Sequence, residues 1–503
     1  MRRTDGMPAA VAAGITCDAR PTQTGPGGAQ PPRGGTRLTA LIVACALFMQ
    51  NLDGTVIATA LPTMARAFGS DPVRMNIALT SYLLSLAAFI PASGWMADRF
   101  GARTVFRGAI VVFTIGSVLC GRADTLSFLV AARILQGAGG ALMVPVGRLV
   151  LLRTAAKNEL VAAMAWLSAP ALIGPVVGPP LGGFLVTYAS WRWIFDINVP
   201  IGLLGIALVT RFVPNTRQPG AARLDAVGLV LTALSLAGLM FGFEAAARPG
   251  LPQWIVSGAL ALGVVAAALY WRHARRHEAP LLDFTLMRVP TFMVSVVGGS
   301  LFRIGVGATP FLLPLMLQLG FGMSALQSGL VTFANAAGAI LMKPAATITL
   351  RRFGFRDTLL VNGIVSALTL ALCAAFSPSW PLAAIYAVLL GGGLFRSLQF
   401  TAYNTIAYGD IPPARMSAAT SLYATLQQVS LTMGVTAGAA ALEVAMALSR
   451  HTHPGLDDFS VGFVAVGFVS LLGAPVSLLM SRTAGAELSG QRLPASRPPA
   501  GSA

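Results

Sequence analysis

LVAARILQGAGGALMVPVGRLVLLR, residues 129–153, has the length and apolarity of a helix that crosses a bilayer, yet Arg133 stands inside it. A charged side chain at membrane depth is costly, so it faces a protein interior or a watery cavity and finds a partner. Gln136, Gly137, Gly139 and Gly140 follow it directly. The small residues let a neighbouring helix come close, and the amide sets a second polar group one turn from the guanidinium. A polar, tightly packed seam inside the membrane points to a transport pathway.

The whole chain agrees with a lipid environment. Of 503 residues, 55% are hydrophobic and 11% charged, with a mean hydropathy of +0.72. A soluble globular chain does not carry this balance. The formal charge of +17 sits mainly in short loops between apolar runs. That pattern sets topology and offers no face for nucleic acid. Cys17, Cys45, Cys120 and Cys373 are isolated and form no disulfide or metal framework. Residues 1–37 are rich in Gly, Pro, Thr and Ala and lack an apolar signal core, so they read as a disordered cytoplasmic tail. Residues 482–503 read the same way.

Apolar segments long enough to span number about fourteen. They fall near 38–63, 73–97, 103–122, 126–151, 159–187, 192–211 and 224–245, then 253–272, 291–317, 325–349, 356–376, 381–407, 415–447 and 459–481. With a cytoplasmic N-terminus, about 24 of the 35 Lys and Arg residues lie in the tails and cytoplasmic loops, and about six in outer loops. Both termini are therefore expected inside a cell (inner) membrane. RFGARTVF at 99–106 is echoed by RFGFRDTLL at 352–360, as expected of two related halves that rock about a central site. The predicted architecture is an all-α membrane protein: a six-helix bundle over 38–212, an inserted helix pair and linker over 213–290, and a second six-helix bundle over 291–481.

Asp53, in NLDGTVIATALP, lies about ten residues from the outer end of the first helix, and Arg133 about seven from that of the fourth. Both sit on the order of 10–15 Å below the outer face at roughly 1.5 Å per residue, so they can meet. One reading is a static pair that fixes packing. The sharper one has Asp53 charged while Arg133 is close and protonated when the two separate in an apolar setting. GWMADRFGARTVF at 94–106 forms a short loop in which Gly94 and Gly101 permit close approach and a tight turn. There Asp98 can cap or pair, and Arg99 and Arg103 face an anionic leaflet. GPVVGPPLGGFL at 174–185 places prolines and glycines inside the fifth helix, either as a packing kink or as a hinge-like contact.

These segments resemble, in order, the motifs of the major facilitator superfamily, in its fourteen-helix drug:proton antiporter (DHA2, EmrB/QacA-like) branch. The first-helix motif falls on Leu52, Asp53, Thr55, Ala60, Leu61 and Pro62. The loop motif falls on Gly94, Asp98, Arg99, Gly101 and Arg103, and RxxQGxG on Arg133, Gln136, Gly137 and Gly139. The antiporter motif falls on Gly174, Gly178, Pro179, Gly182 and Gly183. FRIGVGATPFLLPLMLQLGFG at 302–322 resembles the MdtD/HsrA-like members. The resemblance implies alternating access, export driven by inward proton flow, gating by the loop motif, and a proton-coupling role for Arg133. The second loop departs from the pattern, with Arg351 at the acidic position and Thr347 at the leading glycine.

Gln136, Arg303, Gln318, Asn335, Tyr403, Asn404 and Gln427 are candidate cavity polar groups, although such residues more often cross-link helices. Glu443 lies near an outer helix end. His273 and His277 have i,i+4 spacing, but Arg275 and Arg276 between them favour a charged helix end over a metal site. The leading expectation is a proton-coupled exporter of small amphipathic or cationic compounds, with no cofactor but the proton gradient. The alternative is an exporter of one metabolite or organic anion. An adaptor and an outer-membrane channel remain open as partners beside protons, substrate and lipid. No HExxH, GxSxG or GxxxxGK[ST] pattern occurs, which argues against a protease, a serine hydrolase or an ATP-driven pump.

Overall fold

The computed structural model describes residues 35–69, 72–218, 223–246, 252–451 and 453–491. Among them every regular element is a helix. The first bundle contains α1 (Gly35–Ala67), α2 (Pro72–Phe89), α3 (Ser93–Phe100), α4 (Ala102–Gly121), α5 (Leu126–Thr154), α6 (Leu160–Tyr188), α7 (Trp193–Asp196) and α8 (Asn198–Phe212). The inserted pair is α9 (Ala226–Ala246) and α10 (Gln253–Ala274). The second bundle contains α11 (Pro290–Leu315), α12 (Ala325–Leu372), α13 (Leu382–Ile406), α14 (Met416–Ser449) and α15 (Leu456–Leu472), followed by the short α16 (Ala486–Ser489).

Twelve segments among the described residues are long and apolar enough to cross a membrane. Helices α2 and α3 share one of these segments, as do α7 and α8. Another, Gln327–Ala375, holds two helices that meet at Gly354, and the 29-residue apolar α6 adds a further crossing. The result is the expected fourteen. Outward-facing apolar side chains such as Ile115, Leu204, Val265 and Phe468 are exposed because lipid, not water, surrounds them.

The two echoed loops share their geometry. Gly101 and Gly354 both take positive φ, +92° and +73°, where a side chain is strained. Each glycine lets the chain reverse between two adjacent helices. The stretch after Arg482 is not all tail. Residues 482–491 pack at the loop end, with Leu488 buried and α16 capped at both ends by left-handed glycines. Leu488 reaches Gly409, and Gly485 sits against Phe355 and Ile406, so an apolar anchor holds this segment. Residues 1–34 and 492–503, also read as tails, lie outside the described residues.

Candidate functional site

Helix α5 earns its close packing from the glycines after Gln136. A Cβ at Gly137 would stand 2.6 Å from Tyr82 O on α2, and one at Gly139 2.5 Å from Phe113 N on α4. Both distances are below any real contact, so α5 can approach both neighbours only because these positions are bare. That approach brings Arg133 against α1. Arg133 Nη1 donates to Asp53 Oδ2 at 2.6 Å, and both side chains are fully shielded. Gln136 Nε2 (2.9 Å) and Asn198 Nδ2 (3.1 Å) donate to Asp53 Oδ1. Three donors on one carboxylate are the pattern of an ionised group that needs no water.

The ring of partners closes around it. Arg133 Nε donates to Ala78 O, and Nη1 also reaches Gln136 Oε1 at 2.7 Å. Ser117 Oγ accepts from Gln136 and Asn198 and donates to Phe195 O. The Tyr82 ring lies 4.1 Å from the Arg133 guanidinium carbon, in cation–π range. Asp53, Arg133 and Gln136 were legible in the sequence, whereas Asn198, Ser117 and Tyr82 were not. Gln136 belongs to this network and not to the cavity.

At the end carrying the 99–103 loop, the two bundles are joined. Asp98 Oδ1 accepts from Arg153 Nη2 at 2.7 Å, and Asp98 Oδ2 accepts from Ser417 Oγ of α14. Ser421 Oγ donates to Pro91 O at 2.7 Å, and Gln218 Nε2 donates to Pro413 O. Gly94 is bare where Ser417 crosses it: a Cβ there would lie 2.6 Å from Ser417 O. Lys157 and Glu487 add an exposed 2.6 Å pair between the halves. Arg99 is exposed and Arg103 half-buried. In the other half, Arg351 is exposed.

The fifth-helix glycines act between helices of one bundle. Gly174 and Gly178 face α1, where a Cβ on Gly174 would meet Asn51 at 2.8 Å, and Thr55 Oγ1 donates to Gly174 O. Gly182 is buried, and Gly183 has open space beside it. The side chain of Pro179 lies outside the described residues. Helix α6 runs unbroken through this segment.

Between the bundles lies a cavity of about 620 Å³. Its floor is Ile90, Arg148 and Ala424, just above the Ser421 contact. Its walls include Gln50 and Asn51 of α1, Met164 of α6, Phe311 of α11, Asn404 of α13, and Gln427 and Gln428 of α14. Of the predicted cavity groups, Asn404 and Gln427 line it. The others turn elsewhere. Arg303 is buried behind Tyr423, to whose hydroxyl it donates. Tyr403 donates to Gly473 O, and Asn335 accepts from Arg396 at 2.6 Å. Gln318 is exposed on a π-turn after α11. Glu443 is exposed. Helix ends give the depth of a residue but not its rotation about the axis, and rotation decides what it faces. Arg148, which lines the floor, was not singled out from the sequence because it sits close to the basic end of α5.

On the inserted pair, Asp225 Oδ1 accepts from Gly228 N at 2.7 Å and meets His273 Nε2 at 2.7 Å, and Oδ2 accepts from Leu281 N. The histidine end is therefore docked to the start of α9. With His277 beside it, the cluster holds three ligand atoms within 4.8 Å. The sequence reading of a charged end with no metal lacked Asp225, which is distant in the chain.

The Major Facilitator Superfamily pattern matches residues 43–435 and 293–494. The chain belongs to the major facilitator superfamily. It is a multi-pass membrane transporter of small molecules and resembles the MdtD multidrug resistance proteins. That of Serratia proteamaculans (strain 568) is 41% identical over 401 residues, covering 78% of this chain and 82% of the relative. That of Yersinia enterocolitica (serotype O:8 / biotype 1B) is 40% identical over 412 residues, covering 80% and 86%. Two solved structures share the fold alone. The human organic anion transporter MFSD10 (TETRAN) has a TM-score of 0.61 at 16% identity, covering 89% of this chain and 100% of its own. The proton:xylose symporter XylE bound to 6-bromo-6-deoxy-D-glucose has a TM-score of 0.60 at 15% identity, covering 87% and 94%.

Proposed function

We propose that the chain exports small amphipathic compounds from the cytoplasm in exchange for protons, by alternating access, as a multidrug efflux protein of the cell (inner) membrane. In this reading both termini and the 99–103 loop are cytoplasmic, and the state described is closed at the cytoplasmic end. The observation that carries the reading is the fully shielded Asp53–Arg133 pair, set on α1 one turn from the cavity groups Gln50 and Asn51. A proton on Asp53 removes the charge that holds Arg133, and the α1–α5 contact loosens. Rearrangement of α1 then reaches the cavity through the same helix. A proton moving inward down a 100 mV potential supplies about 2.3 kcal/mol per charge.

The cavity is lined mainly by Leu, Met, Val and Phe with a few amides, which suits varied amphipathic molecules. A cationic compound, which the sequence reading offered beside amphipathic ones, meets no acidic group on that lining among the described residues. The test is reconstitution into proteoliposomes. An imposed pH gradient should drive accumulation of a neutral amphipathic dye, and a protonophore should abolish it. Dye movement indifferent to the gradient would reject antiport.

A further inference from the structure

Helix α5 carries three arginines in or beside the membrane, and two of them face carboxylates: Arg133 faces Asp53, and Arg153 faces Asp98. The third, Arg148, does not. It is 4% exposed, and its Nη1 donates to Tyr408 Oη and its Nη2 to Gln427 Oε1, each at 3.2 Å. Both partners are neutral. Its Nε–H is buried with no partner among the described residues. The Tyr423 ring lies 5.2 Å from the Arg148 guanidinium carbon and 4.8 Å from that of Arg303. A second positive charge therefore adds to the first, and no acidic residue lines the cavity among those described.

A buried guanidinium held by neutral groups alone lacks the countercharge that burial normally demands. Arg148 also forms part of the floor of a space of about 620 Å³, the size of a small-molecule site. We infer that this cavity takes an amphipathic molecule bearing one anionic group, a carboxylate or sulfonate, whose oxygens dock on Arg148 while its apolar body lies against Leu86, Met164 and Phe400. The planar fork of an arginine suits either oxyanion. The inference rests on the export reading for its direction of transport but not for its binding chemistry.

Equilibrium dialysis on the full chain in nanodiscs of neutral lipid tests it, with 2-naphthylacetate, 2-naphthylethanol and 2-naphthylethylamine as matched probes. Wild type should bind the acid about ten-fold or more tightly than the alcohol, and the amine most weakly. Arg148→Gln should bring the acid-to-alcohol ratio close to one, while Arg148→Lys keeps most of it. An amine bound more tightly than the acid, or an undiminished ratio in Arg148→Gln, would overturn the assignment. If Arg148→Gln does not fold, the order of the three probes on wild type decides alone. Binding needs no gradient, so the two readings fail separately. Acid selectivity without pH-driven accumulation would reject antiport alone, and gradient-driven transport without acid selectivity would reject the anion site alone.

Discussion

Asp98→Asn keeps the size of the side chain and removes its charge at the junction between bundles. Asp98 serves two partners, Arg153 on its own bundle at 2.7 Å and Ser417 on the other. The amide retains one acceptor, so one contact must weaken whichever way the group turns. An ion pair this near solvent contributes about 1 kcal/mol, and the hydrogen bond across the interface about 1 kcal/mol more. Only the interbundle bond is lost when this end opens, because Arg153 and Asp98 belong to the same bundle. Losing that bond, about 1 kcal/mol, moves the balance between closed and open forms by about 5-fold. The assay places a single cysteine at Thr432, on the cavity wall, with the native cysteines replaced by serine. A membrane-impermeant maleimide is then added from the loop side. Asp98→Asn should raise the labelling rate from that side by about 5-fold and lower it from the other. Unchanged rates from both sides would refute the claim that Asp98 holds this end shut.

Three further outcomes follow from the same geometry. Ser117→Ala removes an acceptor for two amides and a donor to Phe195 O; it should destabilise the first bundle by about 1–3 kcal/mol, seen as a lower thermal midpoint in detergent. Burial alone would raise the Asp225 carboxyl, but bonds from Gly228 N–H, His273 and Leu281 N–H outweigh it and hold the group below its ordinary 3.8. A carboxyl depressed on folding adds stability in full above that ordinary value and loses it as pH falls through the folded one. The wild-type midpoint should therefore drop on acidification below about pH 4, and Asp225→Asn should flatten that limb. An anion leaving as one proton enters moves two charges, so a 100 mV potential, negative inside, should add about 4.6 kcal/mol of drive. Valinomycin-clamped proteoliposomes measure this, and indifference of acid export to potential would contradict it.

Much of the architecture was legible because lipid imposes a simple rule. Apolar length located the fourteen crossings, and the echo of Arg99-Phe100-Gly101 in Arg352-Phe353-Gly354 matched two glycines with positive φ. The meeting of Asp53 with Arg133 was readable from depth, since each is rare at its level in the membrane. Gln136 followed as its neighbour one turn along α5. Asn198 was hidden at the start of α8, where a polar residue looks like part of a helix end. The cavity was the least legible part. Arg303, Asn335 and Tyr403 lie at fitting depths but rotate into protein, whereas Arg148 rotates into the cavity. Nothing in a spacing of 3.6 residues says which side of a fully apolar helix faces the other bundle.

Coupling of protons to substrate, as proposed, rests on the carboxylate of Asp53. The direct measurement is transport by Asp53→Asn in proteoliposomes, with and without an imposed pH gradient. The variant should exchange substrate down its own gradient yet lose pH-driven accumulation. An Asp53→Asn protein that concentrates substrate under a pH gradient as well as wild type would contradict the account.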